Sequence, residues 1–153
     1  MNYDTAGSNR MNNLSRFAVN LILLELLLLL VQFLLGMYMN LFAIFPSFGS
    51  SGFMYGMMQV MFSVPELMFH MMNGILIGII SLIIFLTFAM KGDYALSSLS
   101  GLASILILVA GISGLEFVFS GFVNNVFSFI MSLGFIFTVT SYFSILYLIL
   151  YRK

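Results

Sequence analysis

The sequence predicts an all-α integral membrane protein, a four-helix bundle of antiparallel spans, on three observations. Hydrophobic residues make up 62% of the chain and charged residues 7%, the composition of a protein whose outside meets lipid. Four windows, 17–45, 64–90, 94–119 and 124–151, are almost uninterruptedly apolar, and each exceeds the roughly 20 residues a helix needs to cross the hydrocarbon. The cations are placed asymmetrically: Arg10 and Arg16 precede the first window, Lys91 lies between the second and third, and Arg152 and Lys153 end the chain. The two other connections carry none, so the positive-inside rule puts both termini in the cytoplasm. Residues 1–153 are read as one multi-pass transmembrane domain in the cytoplasmic (plasma) membrane, with a short mobile polar tail at 1–15.

Several classes of function fall away. The formal net charge is zero, and without a basic surface or charged block nucleic acid is not an expected partner. With no cysteine in the chain, disulfides, iron–sulfur clusters and thiolate metal sites are excluded. The first apolar run is too long for a cleavable signal segment and has no small-x-small site before Pro46, so it is expected to be a retained span.

In the first span Ala18, Glu25, Gln32, Gly36 and Ala43 recur at helical spacing, with Met39 and Asn40 beside them. That seam should face protein, because a carboxyl at this depth costs about 2.5 to 3.5 kcal/mol on the lipid side. No span offers Glu25 a lysine or arginine. A protonated acid bonded to Ser81, Ser104 or Tyr142 is one expectation. A station on a proton path with Gln32, Thr138 and His70 is the other.

The first outer loop is uncharged. Gly and Ser residues mark a turn, and Met54, Met57, Met58 and Met61 then recur at i, i+3, i+4 and i+7. The pattern predicts a short Met-rich interfacial helix. Thioethers pack adaptably and also suit Cu(I), so apolar packing and copper handling are both open for these four.

The second span carries the single histidine. Ser63 and Glu66 have capping-box spacing with Pro65 in the first turn. Glu66, His70, Asn73, Gly74 and Ser81 share one helical face, while Leu67, Leu76, Ile80 and Ile83 fall on the other. Gly74 and Gly78 form a Gly-x-x-x-Gly pair that admits a neighbouring backbone. Lys91-Gly92-Asp93 reads as a tight turn. In the third span Ser97, Ser100, Gly101, Ser104 and Gly111 make a small-residue face, and Glu116 stands near its end. The fourth places Asn124, Ser128, Met131, Phe135, Thr138 and Tyr142 in heptad-like register, anchored by the final Arg152 and Lys153.

Antiparallel spans allow depth to be counted from each end at about 1.5 Å per residue. One layer, toward the cytoplasm, combines Glu25, Ser81 or Leu82, 101–104, and Ser141 or Tyr142. The other, toward the outside, combines 37–40, His70, Gly111 and Met131. For His70 one expectation is interhelical glue, bonded to Asn40, Asn73, Glu66 or Glu116. Another is axial ligation of haem b with Met131 or Met39 as the second ligand, Gly111 and Gly74 leaving room for the porphyrin. A third is quinone binding, with the imidazole taking a quinol proton. Glu66 and Glu116 with His70 are also a candidate hard-metal set.

The segment Val31-Gln32-Phe33-Leu34-Leu35-Gly36, followed by a Gly/Ser-containing outer loop and a second span with His70, resembles one four-helix half of haem A synthase in its compact archaeal form. The likeness covers about the first ninety residues. Where that family has Glu-x-x-His-Arg, this chain has Glu66-x-x-x-His70 without arginine, and one histidine stands in place of a pair. What the resemblance implies is therefore haem or quinone binding, not synthase chemistry. The expected function is a small membrane protein of respiratory redox chemistry, holding haem b or quinone near His70 or serving as a respiratory-complex subunit. Two other expectations stand beside it: a noncatalytic structural or assembly subunit of a homo- or hetero-oligomeric membrane complex, and Cu(I) handling by the Met-rich loop.

Overall fold

The computed structural model describes residues 4–45, 58 and 60–151. Four helices make up almost all of it: α1 (Asp4–Phe42), α2 (Pro65–Met90), α3 (Tyr94–Phe119) and α4 (Asn125–Tyr151). All four have stretches long and apolar enough to cross a membrane, in α1 from Arg16 onward. Among the described residues there is no strand.

Each helix starts and stops for a local reason. The leucine-rich run 21–30 has high helix propensity, and α1 ends at Phe42, four residues ahead of Pro46, which disfavours a helical predecessor. The segment read as a tail is helical from Asp4, since nothing in it stops the helix that follows. Residues 60–63 are also helical, and Pro65 opens α2 at its first turn. The expected capping box is not formed. Ser63 Oγ donates to the Val60 carbonyl at 3.1 Å and Val64 takes the cap position without a side-chain bond, because Ser63 sits inside the preceding helical turn and cannot adopt the extended cap conformation. At the 91–93 turn Gly92 takes φ +69°, and Asp93 caps α3, its Oδ1 accepting from Leu96 N–H at 3.2 Å.

The α3–α4 turn is tighter still. Gly121 and Phe122 both lie in the left-handed region, at φ 70° and 63°, which is uncommon for a bulky residue. Phe122 is held there by its ring, stacked on Phe45 at 3.8 Å and edge-on to Phe117 at 5.7 Å. Asn124 then caps α4 by accepting from Val126 N–H at 3.1 Å.

α1 packs on α2 and α4, α2 on α3, and α3 on α4; among the described residues the backbones of the diagonal pairs do not come close, and only side chains meet across the middle. The ring is antiparallel throughout. Gln32 meets His70 while Leu28 meets Asn73, and Gly114 meets Met131 while Ala110 meets Gly134, so the index rises on one helix as it falls on its neighbour. The tightest approach is between α3 and α4, where a Cβ on Gly134 would stand 3.0 Å from Ala110 Cβ and 3.1 Å from the Leu106 carbonyl.

The interior is apolar at both ends. Ala18, Ile22, Ile84, Phe88, Leu96 and Ile145 fill the half near the 91–93 turn, and Met39, Val60, Val64, Leu67 and Val118 fill the other. Of the apolar residues set opposite His70 on α2, Leu67 and Ile80 are buried while Leu76 and Ile83 are exposed. Every helix leaves large Leu, Ile and Phe side chains exposed along its outer surface, as suits contact with a bilayer.

Candidate functional site

Between these apolar ends lie two polar layers. The outer one joins α1 to α2. Gly36 makes room for His70, whose Cε1 would be 3.4 Å from a Cβ there, and Gly74 makes room for Gln32, whose Nε2 would be 3.3 Å away. A glycine on each helix thus receives a polar side chain from the other. Gln32 Nε2 pairs with His70 Nε2 at 3.0 Å. Asn73 Nδ2 donates to Gln32 Oε1 at 2.8 Å and to the Leu28 carbonyl at 3.0 Å.

This chain assigns its own protons. A carbonyl can only accept, so the Asn73 atom facing Leu28 is the amide nitrogen, and its second hydrogen goes to Gln32 Oε1. Gln32 therefore presents its NH₂ to the imidazole, and His70 Nε2 accepts. The ring is then neutral with its proton on Nδ1, which is buried and has no partner. Of the partners considered for His70, Asn40 and Glu116 are exposed and Glu66 is half-buried; Gln32 takes that place, and Asn73 supports it through Gln32.

The inner layer is different in kind. Glu25, Thr138 and Tyr142 are each 0% exposed, and both Glu25 oxygens, Thr138 Oγ1 and the Tyr142 hydroxyl have no hydrogen-bond partner. The Glu25 carboxyl lies beside the Tyr142 phenol, and that phenol also lies beside Ser81, though no well-formed hydrogen bond reaches the carboxyl or the phenol oxygen. Beside them Ser81 and Ser104 hydroxyls are 2.6 Å apart, and Ser104 also bonds the Ser100 carbonyl at 3.0 Å. Leu29 and Ile77, one turn from Glu25 and Ser81 toward the outer layer, are 4% and 2% exposed. Glu25 and Gln32 are separated by a rise of about 10 Å over seven residues, with apolar Leu29 between them on α1.

The remaining candidates are scattered. Met131 lies against α3, its sulfur 3.2 Å from where a Gly114 Cβ would be. Met39 belongs to the outer apolar cluster. Gly74 is occupied by Gln32, whereas Gly78 and Gly111 have nothing within 4 Å, and Gly111 is turned outward. Among the described residues no three of His, Cys, Asp and Glu converge as a metal site. Met54 and Met57, and with them most of the expected Met-rich interfacial helix, lie outside the described residues; Met58 is exposed and Met61 half-buried. Gly134 had no signal of its own in the sequence, since its packing is visible only once Ala110 is known to face it.

Comparison with protein-family models, with curated proteins and with solved structures returns no match for this chain.

Proposed function

We propose that this protein is a noncatalytic structural or assembly subunit of a larger membrane complex. The observation that carries this reading is the Asn73–Gln32–His70 hydrogen-bond chain: the one histidine, the residue type best suited to ligand or proton chemistry, is bonded through Nε2 to the neighbouring helix. Polar groups used in this way hold transmembrane helices together. Gly78 and Gly111, with open space above them, leave α2 and α3 free to be approached closely by another helix. On α4, Ser132 and Thr140 are exposed and Ser144 is half-buried. Their bonds to carbonyls one turn back lie at 3.0, 2.9 and 2.8 Å, so the outer face of that helix is not wholly apolar.

Quinone binding at the same level is the second reading, favoured by the orphaned N–H on His70 Nδ1, a donor suited to a quinone carbonyl. Haem b fits these residues less well. Axial ligation through Nε2 would displace Gln32, and Met131 packs toward α3.

The test is an absorption spectrum of the protein purified in mild detergent, with and without reductant, together with quinone extraction. A colourless, quinone-free protein that still assembles with its membrane partners after His70→Ala is expected. A stoichiometric Soret band or bound quinone that disappears in that variant would overturn the subunit reading.

A further inference from the structure

We infer that the inner polar layer is a binding site for one alkali-metal cation, held by the Glu25 carboxylate with the hydroxyls of Tyr142 and Thr138. The layer has unpartnered oxygens on fully buried side chains drawn from α1 and α4, with the Ser81 and Ser104 hydroxyls of α2 and α3 close by. Every helix of the bundle therefore contributes oxygen to one level.

The chemistry selects the ligand. All these candidate donors are oxygen atoms, the ligand type that hard cations prefer over nitrogen or sulfur. The layer holds one carboxyl, and no lysine or arginine occurs within α2, α3, α4 or α1 beyond Arg16. An anion would meet uncompensated negative charge. A divalent cation would leave one positive charge unbalanced in a low-dielectric interior, where isolated charge is most costly. A monovalent cation makes the site neutral. It also gives a partner to buried oxygens that have none, both of Glu25, Thr138 Oγ1 and the Tyr142 hydroxyl. The residues one turn toward the His70 layer on α1 and α2, Leu29 and Ile77, are apolar and buried, so the ion would be bound within the bundle and not passed along it.

The experiment is thermal unfolding followed by circular dichroism, in detergent at constant ionic strength, with choline chloride replaced stepwise by NaCl, KCl or LiCl. A saturable rise in Tm with sodium or potassium is expected, absent in Glu25→Gln. In Thr138→Val and Tyr142→Phe the half-saturating concentration should rise roughly tenfold, the effect of losing one polar contact. A Tm that is the same in every salt would overturn the proposal and leave the layer to buried water. A shift that persists in Glu25→Gln would overturn it by placing the ion elsewhere. Should Glu25→Gln fail to fold, the two hydroxyl variants decide: titrations identical to the parent would contradict the site. Carbodiimide labelling of Glu25, read by mass spectrometry, gives an independent measurement. The favoured ion should slow it at constant ionic strength, and an unchanged rate would count against the proposal.

Discussion

At the scale of single residues, the outer layer turns a sequence ambiguity into a specific protonation state. Because Asn73 must donate to the Leu28 carbonyl, the orientation of Gln32 and then of the imidazole follows, and His70 carries its proton on Nδ1. Nitrogen-15 NMR of histidine-labelled protein in detergent should show an Nδ1-protonated, Nε2-accepting ring; a proton on Nε2 would contradict the assignment. That His70 faces another helix was legible in the sequence, since Glu66, Asn73, Gly74 and Ser81 share its face. Its partner was not. Counting depth inward from residue 45 sets 37–40 beside His70, but α1 ends at Phe42, and a helix shorter by three residues brings Gly36 to that level and Gln32 within reach from one turn below. At the inner layer depth counting works better. Glu25, Tyr142 and Ser81 are adjacent, and the three-residue 91–93 turn fixes the offset of α2 and α3 so that the Ser81 and Ser104 hydroxyls meet at 2.6 Å.

At the scale of the element, glycines separate into those that admit a neighbour and those that do not. Gly→Ala in a helix interior ordinarily stabilises, by about 0.5 to 1 kcal/mol. At Gly111 nothing stands within 4 Å, so Gly111→Ala should raise thermal stability in detergent or leave it unchanged. At Gly134 the added methyl would meet Ala110 Cβ at 3.0 Å and the Leu106 carbonyl at 3.1 Å. Neither can move without its backbone, and overpacking of this kind costs about 1 to 3 kcal/mol. Gly134→Ala should therefore lower stability, and unfolding midpoints that move the same way in both variants would contradict the packing described. Helix existence was readable from apolar length alone. The capping of α2 was not, because a motif such as Ser63-x-x-Glu66 takes no account of residues 60–63 being helical themselves.

At the scale of the whole molecule, the four spans form a closed ring of antiparallel neighbours, with polar residues gathered in two interior layers and large apolar side chains exposed around the outside. Such an arrangement can stand in a bilayer, and the distribution of lysine and arginine argues for both ends in the cytoplasm. The chain has no cysteine, so single cysteines can be placed without removing any. A cysteine at Gly92 should react with an impermeant maleimide only after the inner face of the membrane is exposed, and one at Gly121 should react from outside; the reverse pattern would contradict the orientation. The gross architecture was legible because bilayer thickness imposes length on every span. Function was less so, since the same polar residues that suggest a ligand site also serve to lock helices to one another.

The claim on which the functional proposal depends is that His70 and Gln32 act on each other across the α1–α2 seam. A double-mutant cycle with His70→Leu, Gln32→Leu and the pair, measured by unfolding in detergent, tests it directly. Interhelical hydrogen bonds in membranes are worth about 0.6 kcal/mol on average and about 1.7 at most, so a coupling energy within that range is expected. Strictly additive effects of the two substitutions would contradict it.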